Sequence, residues 1–320
     1  MASVESSVSS PMASDPPMTN NSGKSILTVE ERAAVQAVAY SDIFDYPLTA
    51  AELRRYLCGT SIAQADFECL LRHGRLVHAH LSEIDGYYTL PGREGVVATR
   101  QRRESDAARL WPRALHYGRL IASLPFVRMV AVTGELAVNN VQPGSDIDYF
   151  IVTEPGRVWM ARALAIGVVH YAARHGDIVC PNYLVSERAL TLTDRNLYTA
   201  HELAQMVPIS GFATYRRLRA LNRWADELLP NAAGPPTVAY AAIHGGRGRD
   251  AAESALRTRA GAWLERWEME RKIRKLTREH GPQAEMSFTD EWCKGHVGGH
   301  EGRILARFDE RWQVVERQMP

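Results

Sequence analysis

The chain has 320 residues, of which 45% are hydrophobic, 8% aromatic and 23% charged. This composition is typical of globular proteins and excludes a collagen-like chain, a wholly disordered chain and a disulfide scaffold. Because 38 Lys and Arg balance 37 Asp and Glu, the net charge is only +1, which argues against a protein whose whole surface binds nucleic acid by charge. The four cysteines show no CxxC spacing, so we expect reduced thiols.

The sequence shows neither the run of roughly 18 apolar residues that a membrane span needs nor the pattern of a secretory signal. We therefore expect a cytoplasmic protein with no membrane partner. At about 150 residues per domain, the length favours two or three domains. The patterns along the chain divide it into a disordered tail at 1–25, a winged-helix-like domain at 26–95, a core that carries the chemistry at 96–192 and a helical domain at 193–320.

The segment 26–95 reads as three short helices followed by a hairpin. Thr28 and Glu31 form a capping box that begins the first helix, and Asp85-Gly86 is a hairpin turn signal between two apolar segments. The expected elements are helices at 28–44, 50–57 and 62–72 and strands at 76–81 and 87–90. This order is typical of a winged helix, a module that often binds DNA.

The third of these helices argues against DNA binding, because it carries only Arg72 as a base against Asp66 and Glu68. That is too little positive charge to hold phosphates. A module for packing or dimerisation is the alternative, and we do not expect nucleic acid as a partner. An arginine-rich helix follows at 96–124, and Pro112 is expected to kink or divide it.

Two apolar strands after this helix carry the candidate site. The first, at 127–132, ends at Gly134, and the second begins eleven residues later with Ser-Asp-Ile-Asp. Strand alternation places Asp146 and Asp148 on one side, about 7 Å apart. Two carboxylates this close raise each other's pKa unless a cation neutralises them. Mg²⁺, which binds carboxylates and phosphate oxygens together, is the expected cation, with Mn²⁺ as a substitute.

The glycine at the end of the first strand predicts a phosphate site. A strand that ends in glycine and turns into a helix presents backbone N–H groups to a phosphate and lets it approach closely. A phosphate site beside a carboxylate pair suits attack on a nucleoside triphosphate. The residues that we assign to the nucleotide are Thr133, Gly134, Glu135 and Ser145.

The segment VAVTGELAVNNVQPGSDIDYFIV, residues 130–152, resembles the signature of the DNA-polymerase-β-like nucleotidyltransferase superfamily. That signature is an apolar residue, Gly, usually Ser or Gly, about a dozen residues, and then Asp-apolar-Asp-apolar. The resemblance, which extends over about 127–183, implies an α+β fold with a nucleotidyltransferase-type mixed sheet flanked by helices. It also implies metal binding by Asp146 and Asp148. The implied reaction moves an NMP group from an NTP, preferably ATP, to a hydroxyl or phosphate of a small molecule and releases pyrophosphate.

The chain departs from the family pattern at Glu135, where a small residue is usual. A carboxylate that faced the phosphates would repel them, so Glu135 must point away, pair with an arginine or help to hold metal. If it does none of these, the triphosphate site is degenerate. The alternative function is then a DNA-binding regulatory protein whose transferase domain senses a nucleotide. A third possibility, separate from the role of Glu135, is that the acceptor is a protein or a tRNA.

The family generally needs a third carboxylate, which binds metal or accepts the proton of the attacking hydroxyl. A helix at 157–174 followed by an apolar strand from 177 predicts a strand–helix–strand crossover with parallel strands. Residues that start parallel strands lie at one edge of the sheet, so Asp177 is the candidate. Its alternative role is that of a turn residue after the helix, and Asn182 and Glu187 are the fallbacks.

The rest of the chain reads as helices at 196–229, a linker at 232–248, a long helix at 252–278 and a last helix at 303–317. In the small-molecule nucleotidyltransferases that the chain resembles, such helices close over nucleotide and acceptor. The segment KGHVGGHEGR, 294–303, is interpreted as a turn before the last helix or as a loop closed over the cleft. The side chains expected to reach the cleft are Gln205, Tyr215, Arg216, Asn222 and Trp224.

Overall fold

The computed structural model describes residues 27–236, 247–280, 288–294 and 299–319. Its helices are α1 (Val29–Asp42), α2 (Ala50–Arg55), α3 (Gln64–His73), α4 (Leu76–Ala79), α5 (Val96–Ala122), α6 (Gly134–Ala137), α7 (Val158–Arg174), α8 (Leu197–Gln205), α9 (Phe212–Leu221), α10 (Trp224–Leu228), α11 (Arg247–Leu256), α12 (Arg259–His280) and α13 (His300–Gln318), with a 3-10 turn at Pro230–Ala232. Its strands are β1 (Leu48–Thr49), β2 (Ser82–Ile84), β3 (Tyr87–Thr89), β4 (Val127–Thr133), β5 (Ile147–Thr153), β6 (Val179–Ser186), β7 (Val207–Ser210) and β8 (Trp292–Lys294). The protein is thus a mixed α+β structure, and the tail expected at 1–25 lies outside the described residues.

The N-terminal segment forms short helices around a three-stranded antiparallel sheet in the order β1-β3-β2. The capping box of Thr28 and Glu31 begins α1, as expected from the sequence. The hairpin turn is also where the sequence predicts it, with Asp85 and Gly86 both at positive φ, as a tight two-residue hairpin turn requires.

One element of this segment was predicted wrongly. The first hairpin strand is β2, at Ser82–Ile84, whereas part of the expected strand at 76–81 forms the helix α4. The buried residues of this stretch are Leu76, Val77 and Leu81. Their spacing is not the alternation of a half-buried strand, which explains why a helical turn buries them better.

The main sheet has five strands in the order β7-β4-β5-β6-β8. Only the central pair, β5 and β6, is parallel, and α7 makes the crossover between them, as the sequence predicts. The other pairs are antiparallel. Helix α5 continues through Pro112 as one element, so the expected division there does not occur.

The C-terminal part of the chain contributes strands as well as helices to this architecture. The edge strands β7 and β8 lie within 193–320, the range for which the sequence suggests helices alone. The long helix expected at 252–278 is two helices, α11 and α12, separated at residues 257–258. Residues 237–246 of the linker and 295–298 of the glycine-rich segment lie outside the described parts of the chain.

The two faces of the main sheet pack against different layers. Helices α5 and α7 cover one face, where α12 also contacts α7, and helices α8, α9 and α13 with the N-terminal segment cover the other. Alternation along β5 assigns Ile147, Tyr149 and Ile151 to the first face and Phe150 and Val152 to the second. Within the described residues, we find no helix with both the length and the apolar character to cross a membrane.

Candidate active site

The candidate site is built around the contact between Gly134 and the Asp148 carboxylate. Antiparallel pairing of β4 with β5 places Thr133 directly opposite Asp148. Gly134 follows at a φ of +66°, and a Cβ at this position would lie 2.5 Å from the Oδ2 atom of Asp148. The carboxylate therefore occupies the space that a side chain at 134 would need, and only glycine satisfies both the backbone angle and this contact.

Three side chains meet at this point of the sheet. Asp146 directly precedes β5, Asp148 is its second residue, and parallel pairing places Cys180 of β6 opposite Asp148. One ligand atom from each of the three lies within 4.8 Å of the others. The two carboxylates thus lie together at the start of β5, as the alternation of the strand predicts.

Burial makes Asp148 an unusually weak acid. It raises the pKa of Asp148 to about 8, and the neighbouring charges of Asp146 and then Glu202 add to this effect. Without a cation, the folded protein is therefore more stable when Asp148 is protonated. A divalent cation would favour the ionised form instead, because an opposite charge nearby lowers a carboxyl pKa.

The donor set fits a hard cation bound by oxygen. Burial raises the pKa of the Cys180 thiol well above its usual range, and the charges of both aspartates add to this, so Cys180 stays protonated. A protonated thiol donates a hydrogen bond to the carboxylates, whereas a metal-bound sulfur is a thiolate. The two carboxylates are thus the groups that would hold the metal, as Mg²⁺ and Mn²⁺ prefer.

Glu135 is the second residue of α6, the short helix before the loop that leads to Asp146. Its carboxylate accepts hydrogen bonds from the backbone N–H of Gln142 at 3.2 Å, from the Gln142 amide at 2.7 Å and from the Ser145 hydroxyl. These contacts turn the Glu135 side chain toward residues 142–145, and its charge also contributes to the raised pKa of Asp148. Glu135 and Ser145, both assigned to the nucleotide from sequence, bind each other and hold the loop that positions Asp146.

Asp177 lies apart from Asp146 and Asp148, contrary to its expected position beside them. Its carboxylate pairs with Arg113 and accepts a hydrogen bond from the Tyr117 hydroxyl at 2.6 Å, both from α5. Helix α5 covers the opposite face of the sheet from Asp148. Strand β6 begins two residues later than expected, at Val179, and the residue in register with Asp148 is therefore Cys180.

A cavity of about 540 Å³ lies on the Asp148 face of the sheet. Strands β4 and β6, helices α8 and α13 and the segment 192–194 provide most of its wall. The polar residues that line it include Thr133, Asn182, Asp194, Glu202, His300 and Glu301. Asn182, a fallback from sequence, thus faces the cavity, whereas the side chain of Glu187, the other fallback, accepts a hydrogen bond from Thr214 at 3.5 Å.

Glu202 is the carboxylate that sequence reasoning missed. It lies on α8 and lines the same cavity as Thr133, the residue opposite Asp148, and its charge raises the pKa of Asp148. Burial, and secondarily the charge of Glu301, raises the pKa of Glu202 to about 7. The neighbouring His201 stacks on Tyr40 of α1 with ring centroids 4.0 Å apart, so the N-terminal segment fixes the position of α8.

The other helical side chains expected at the cleft have different surroundings. Asn222 is fully buried and holds the chain at 190–192 through hydrogen bonds to the backbone of Leu190 and Leu192. Tyr215 of α9 is buried in the core. Gln205 contacts His201 within α8, 3.4 Å away. The described residues of this helical region that line the cavity are therefore Glu202 and its neighbours on α8, and the five side chains expected from sequence are not among them.

The expected resemblance to nucleotidyltransferases rests on the motif of residues 130–152 alone. Compared with models of protein families, with curated proteins and with solved structures, the chain matches none of them. The site residues described above are accordingly the basis for any functional assignment.

The contact at Gly134 predicts a specific effect of Gly134→Ala. The added Cβ would displace the Asp148 carboxylate, so we expect weaker Mn²⁺ binding in calorimetry and a loss of about 2–4 kcal/mol in urea unfolding. Gly144→Ala is the matched control, because Gly144 also has a positive φ but no atom within 4 Å of its Cβ position. We expect this control to cost about 1 kcal/mol and to leave Mn²⁺ affinity unchanged. Equal effects of the two variants would contradict the role of the contact.

Replacement by asparagine should affect protein stability at Asp177 and metal binding at Asp148. Asp177→Asn should lower the free energy of unfolding by about 1–3 kcal/mol, because it breaks a pair with the partly exposed Arg113, while Mn²⁺ affinity stays within about twofold. Asp148→Asn should abolish Mn²⁺ binding.

The raised pKa of Asp148 also sets the sign of a pH effect. The folded-state value, about 8, lies above the ordinary value near 4, so stability from the protonated carboxyl is complete below about pH 4 and is lost as the pH rises through 8. At pH 9 without metal, Asp148→Asn should therefore be more stable than the wild type. A less stable Asp148→Asn protein at that pH would refute this account of the buried carboxyl.

Proposed function

We propose that this protein is a Mg²⁺-dependent nucleotidyltransferase that moves an NMP group from an NTP, with ATP favoured, to a small-molecule acceptor and releases pyrophosphate. The observation that carries the proposal is the contact of Gly134 with Asp148, which together with Asp146 forms a carboxylate pair. Thr133, the residue before Gly134, lines the cavity. A glycine turn at the end of one strand, beside two carboxylates at the start of the neighbouring strand, is the arrangement that the resemblance implies. We further propose a cytoplasmic location and no membrane partner.

In this proposal Asp146 and Asp148 hold the cation, with Mn²⁺ able to replace Mg²⁺. When bound, the metal supplies positive charge for the triphosphate and for the attacking hydroxyl. Thr133 and the backbone at Gly134 lie beside Asp148 and would contact the triphosphate. Glu135 and Ser145 act indirectly, because their mutual hydrogen bond holds the loop before Asp146.

Glu202 takes the role of proton acceptor that the sequence assigned to Asp177. A general base works best when its pKa lies near the working pH, and burial raises the pKa of Glu202 to about 7. Glu202 also lines the cavity in which an acceptor hydroxyl would lie. Asp177, paired with Arg113 on the other face of the sheet, is not among the described residues that line the cavity.

The regulatory alternative has less support. Its main argument was a carboxylate at 135 facing the phosphates, and Glu135 instead binds Gln142 and Ser145. On α3, Arg72 lies 3.9 Å from the Glu68 carboxylate, so the one arginine of a helix that also carries Asp66 is partly neutralised. We therefore do not propose nucleic acid as a partner.

The proposal predicts metal-dependent nucleotide binding. Calorimetric titration of ATP, CTP, GTP and UTP with Mg²⁺ should show binding of at least one nucleotide to the wild type. The Asp146→Ala/Asp148→Ala protein should bind at least about tenfold more weakly, since the groups that hold the metal are removed. Asp177→Asn is the matched control and should bind like the wild type. If none of the four nucleotides binds, the transferase proposal fails, and a gel shift with DNA would then test the regulatory alternative.

The role of Glu202 predicts a defect in turnover rather than in binding. With water as acceptor, Glu202→Gln should release pyrophosphate about 10²–10⁴-fold more slowly while nucleotide affinity changes little. The Glu187→Gln control should keep the wild-type rate. An unchanged rate for Glu202→Gln would remove Glu202 from the mechanism.

The pH profile should report the same group. The titratable groups around Glu202 are Tyr40 from α1, Asp148 from β5, Tyr198 from its own helix and Glu301 from α13. A base acts in its ionised form, so the wild-type rate should rise as the pH increases through about 7. Glu202→Gln should lose this rise.

A further inference from the structure

Helix α12 has an exposed face whose residues are arranged symmetrically about its middle. The opposite face packs on α7, where the Glu265 carboxylate accepts hydrogen bonds from the backbone N–H groups of Trp159 and Met160 at 2.8 and 2.7 Å. The exposed residues follow one another at intervals of four, three, one, three and four, which keeps them on one face of the helix. They are Trp263, Trp267, Glu270, Arg271, Arg274 and Arg278. The order of the intervals is the same from either end.

The two halves of this face carry different chemical groups. In the first half, the Trp263 and Trp267 rings stack with centroids 6.3 Å apart, and these residues are 58% and 44% exposed. In the second half, basic side chains line an open depression of about 500 Å³, namely Arg271, Arg274, Lys275 and Arg278. Exposed apolar area with charged residues at its border is typical of an interaction surface.

Each half offers groups that attract those of the other half. Within one chain, the Arg271 guanidinium already lies 5.4 Å from the centroid of the Trp267 ring, while it donates two hydrogen bonds to Glu268 at 2.7 and 2.8 Å. Such contacts between cation and ring become stronger when the cation loses water. Trp263 and Arg278, however, are about 22 Å apart along the helix and cannot meet within one chain. Pairing of the two halves therefore requires a second helix.

A second copy of this chain supplies such a helix in the matching register. Antiparallel pairing of two α12 helices about a two-fold axis between residues 270 and 271 brings each tryptophan level with an arginine. The pairs are Trp263 with Arg278 of the partner subunit, Trp267 with Arg274 of the partner subunit, and Glu270 with Arg271 of the partner subunit. Because the axis generates every contact twice, both copies contribute the same groups.

We propose that the exposed face of α12 joins two copies of this chain in an antiparallel, two-fold symmetric dimer. Trp263 and Trp267 of each copy would lie in the basic depression of the other. One pair of helices buries less area than a standard interface of about 1,600 Å², so we expect a dissociation constant of roughly 10–100 µM. The dimer is independent of the proposed transferase activity, since the aspartate pair belongs to other elements.

A nucleic acid or an anionic membrane fits this face less well than a second copy does. Glu270 lies at its centre, and a carboxylate there would repel phosphate groups. In sites for single-stranded nucleic acid, aromatic and basic side chains follow the strand together. On α12 they occupy separate halves, as the two-fold pairing requires.

Sedimentation of the full chain at concentrations on both sides of the expected constant tests the dimer. The wild type should pass from monomer to dimer as its concentration rises. Trp263→Ala/Trp267→Ala and Arg274→Ala/Arg278→Ala should each weaken association at least about tenfold, because each variant loses both sets of contacts between rings and cations. The matched control is Arg216→Ala/Arg217→Ala, which removes two exposed arginines of α9 and should leave the association unchanged.

Mixing the two double variants tests the antiparallel register. The tryptophan variant keeps its arginines and the arginine variant keeps its tryptophans, so a mixed dimer would retain one of the two sets of contacts. An equimolar mixture should therefore associate at least about threefold more tightly than either variant alone. A mixture that associates no better than the separate variants would overturn the proposed pairing.

Thermal unfolding of each variant establishes that it is folded. Should a double variant not fold, Trp267→Arg takes its place, because it sets like charges against Arg274 of the partner subunit and should weaken association to the same extent. A wild type that remains monomeric over the whole concentration range would overturn the proposal. If that monomer bound an oligonucleotide of deoxythymidine or vesicles of phosphatidylserine, and Arg274→Ala/Arg278→Ala did not, the face would belong to a polyanion instead.

Discussion

The candidate site depends on the burial of one carboxylate, that of Asp148, against the backbone of Gly134. A charge in this position is costly unless something neutralises it, and the raised pKa of Asp148 expresses that cost. Three features accompany this burial: glycine at 134, a protonated thiol at Cys180, and a second carboxylate, Asp146, which could bind a metal together with Asp148. The sheet provides the rigidity, because neighbouring strands on both sides fix Asp148.

The N-terminal segment and the helices on the Asp148 face form one continuous core with the sheet. Tyr40 of α1 stacks on His201, and Phe308 of α13 packs edge to face on Tyr40 at 5.4 Å. Glu202 follows His201 directly, so the contact that joins α1, α8 and α13 also orients the proposed base. Through these contacts the N-terminal segment supports the wall of the cavity.

The sequence was sufficient where the signal is local. Asp146 and Asp148 share a face because strands alternate, and the helix between β5 and β6 makes those strands parallel. The expected position of Asp177 beside the pair differs from the structure because β6 begins two residues later than expected. In the parallel register of β5 and β6, the residue opposite Asp148 is Cys180. The edge strand β7 was missed because a four-residue strand that contains Pro208 looks like a break between helices. No local pattern marks Glu202, whose position depends on packing between α8 and a sheet strand about fifty residues earlier in the chain.

The charge of the aspartate pair limits how the site could accept a nucleoside triphosphate. Such a molecule is highly anionic, and the two carboxylates would repel it unless a cation accompanied it. Because ligand atoms of Asp146 and Asp148 lie within 4.8 Å of each other, one divalent cation would neutralise both carboxylates and could bind phosphate oxygens at the same time. The same cation would lower the pKa of Asp148 and so favour the ionised form that binds it. Metal and triphosphate would therefore each make the binding of the other more favourable.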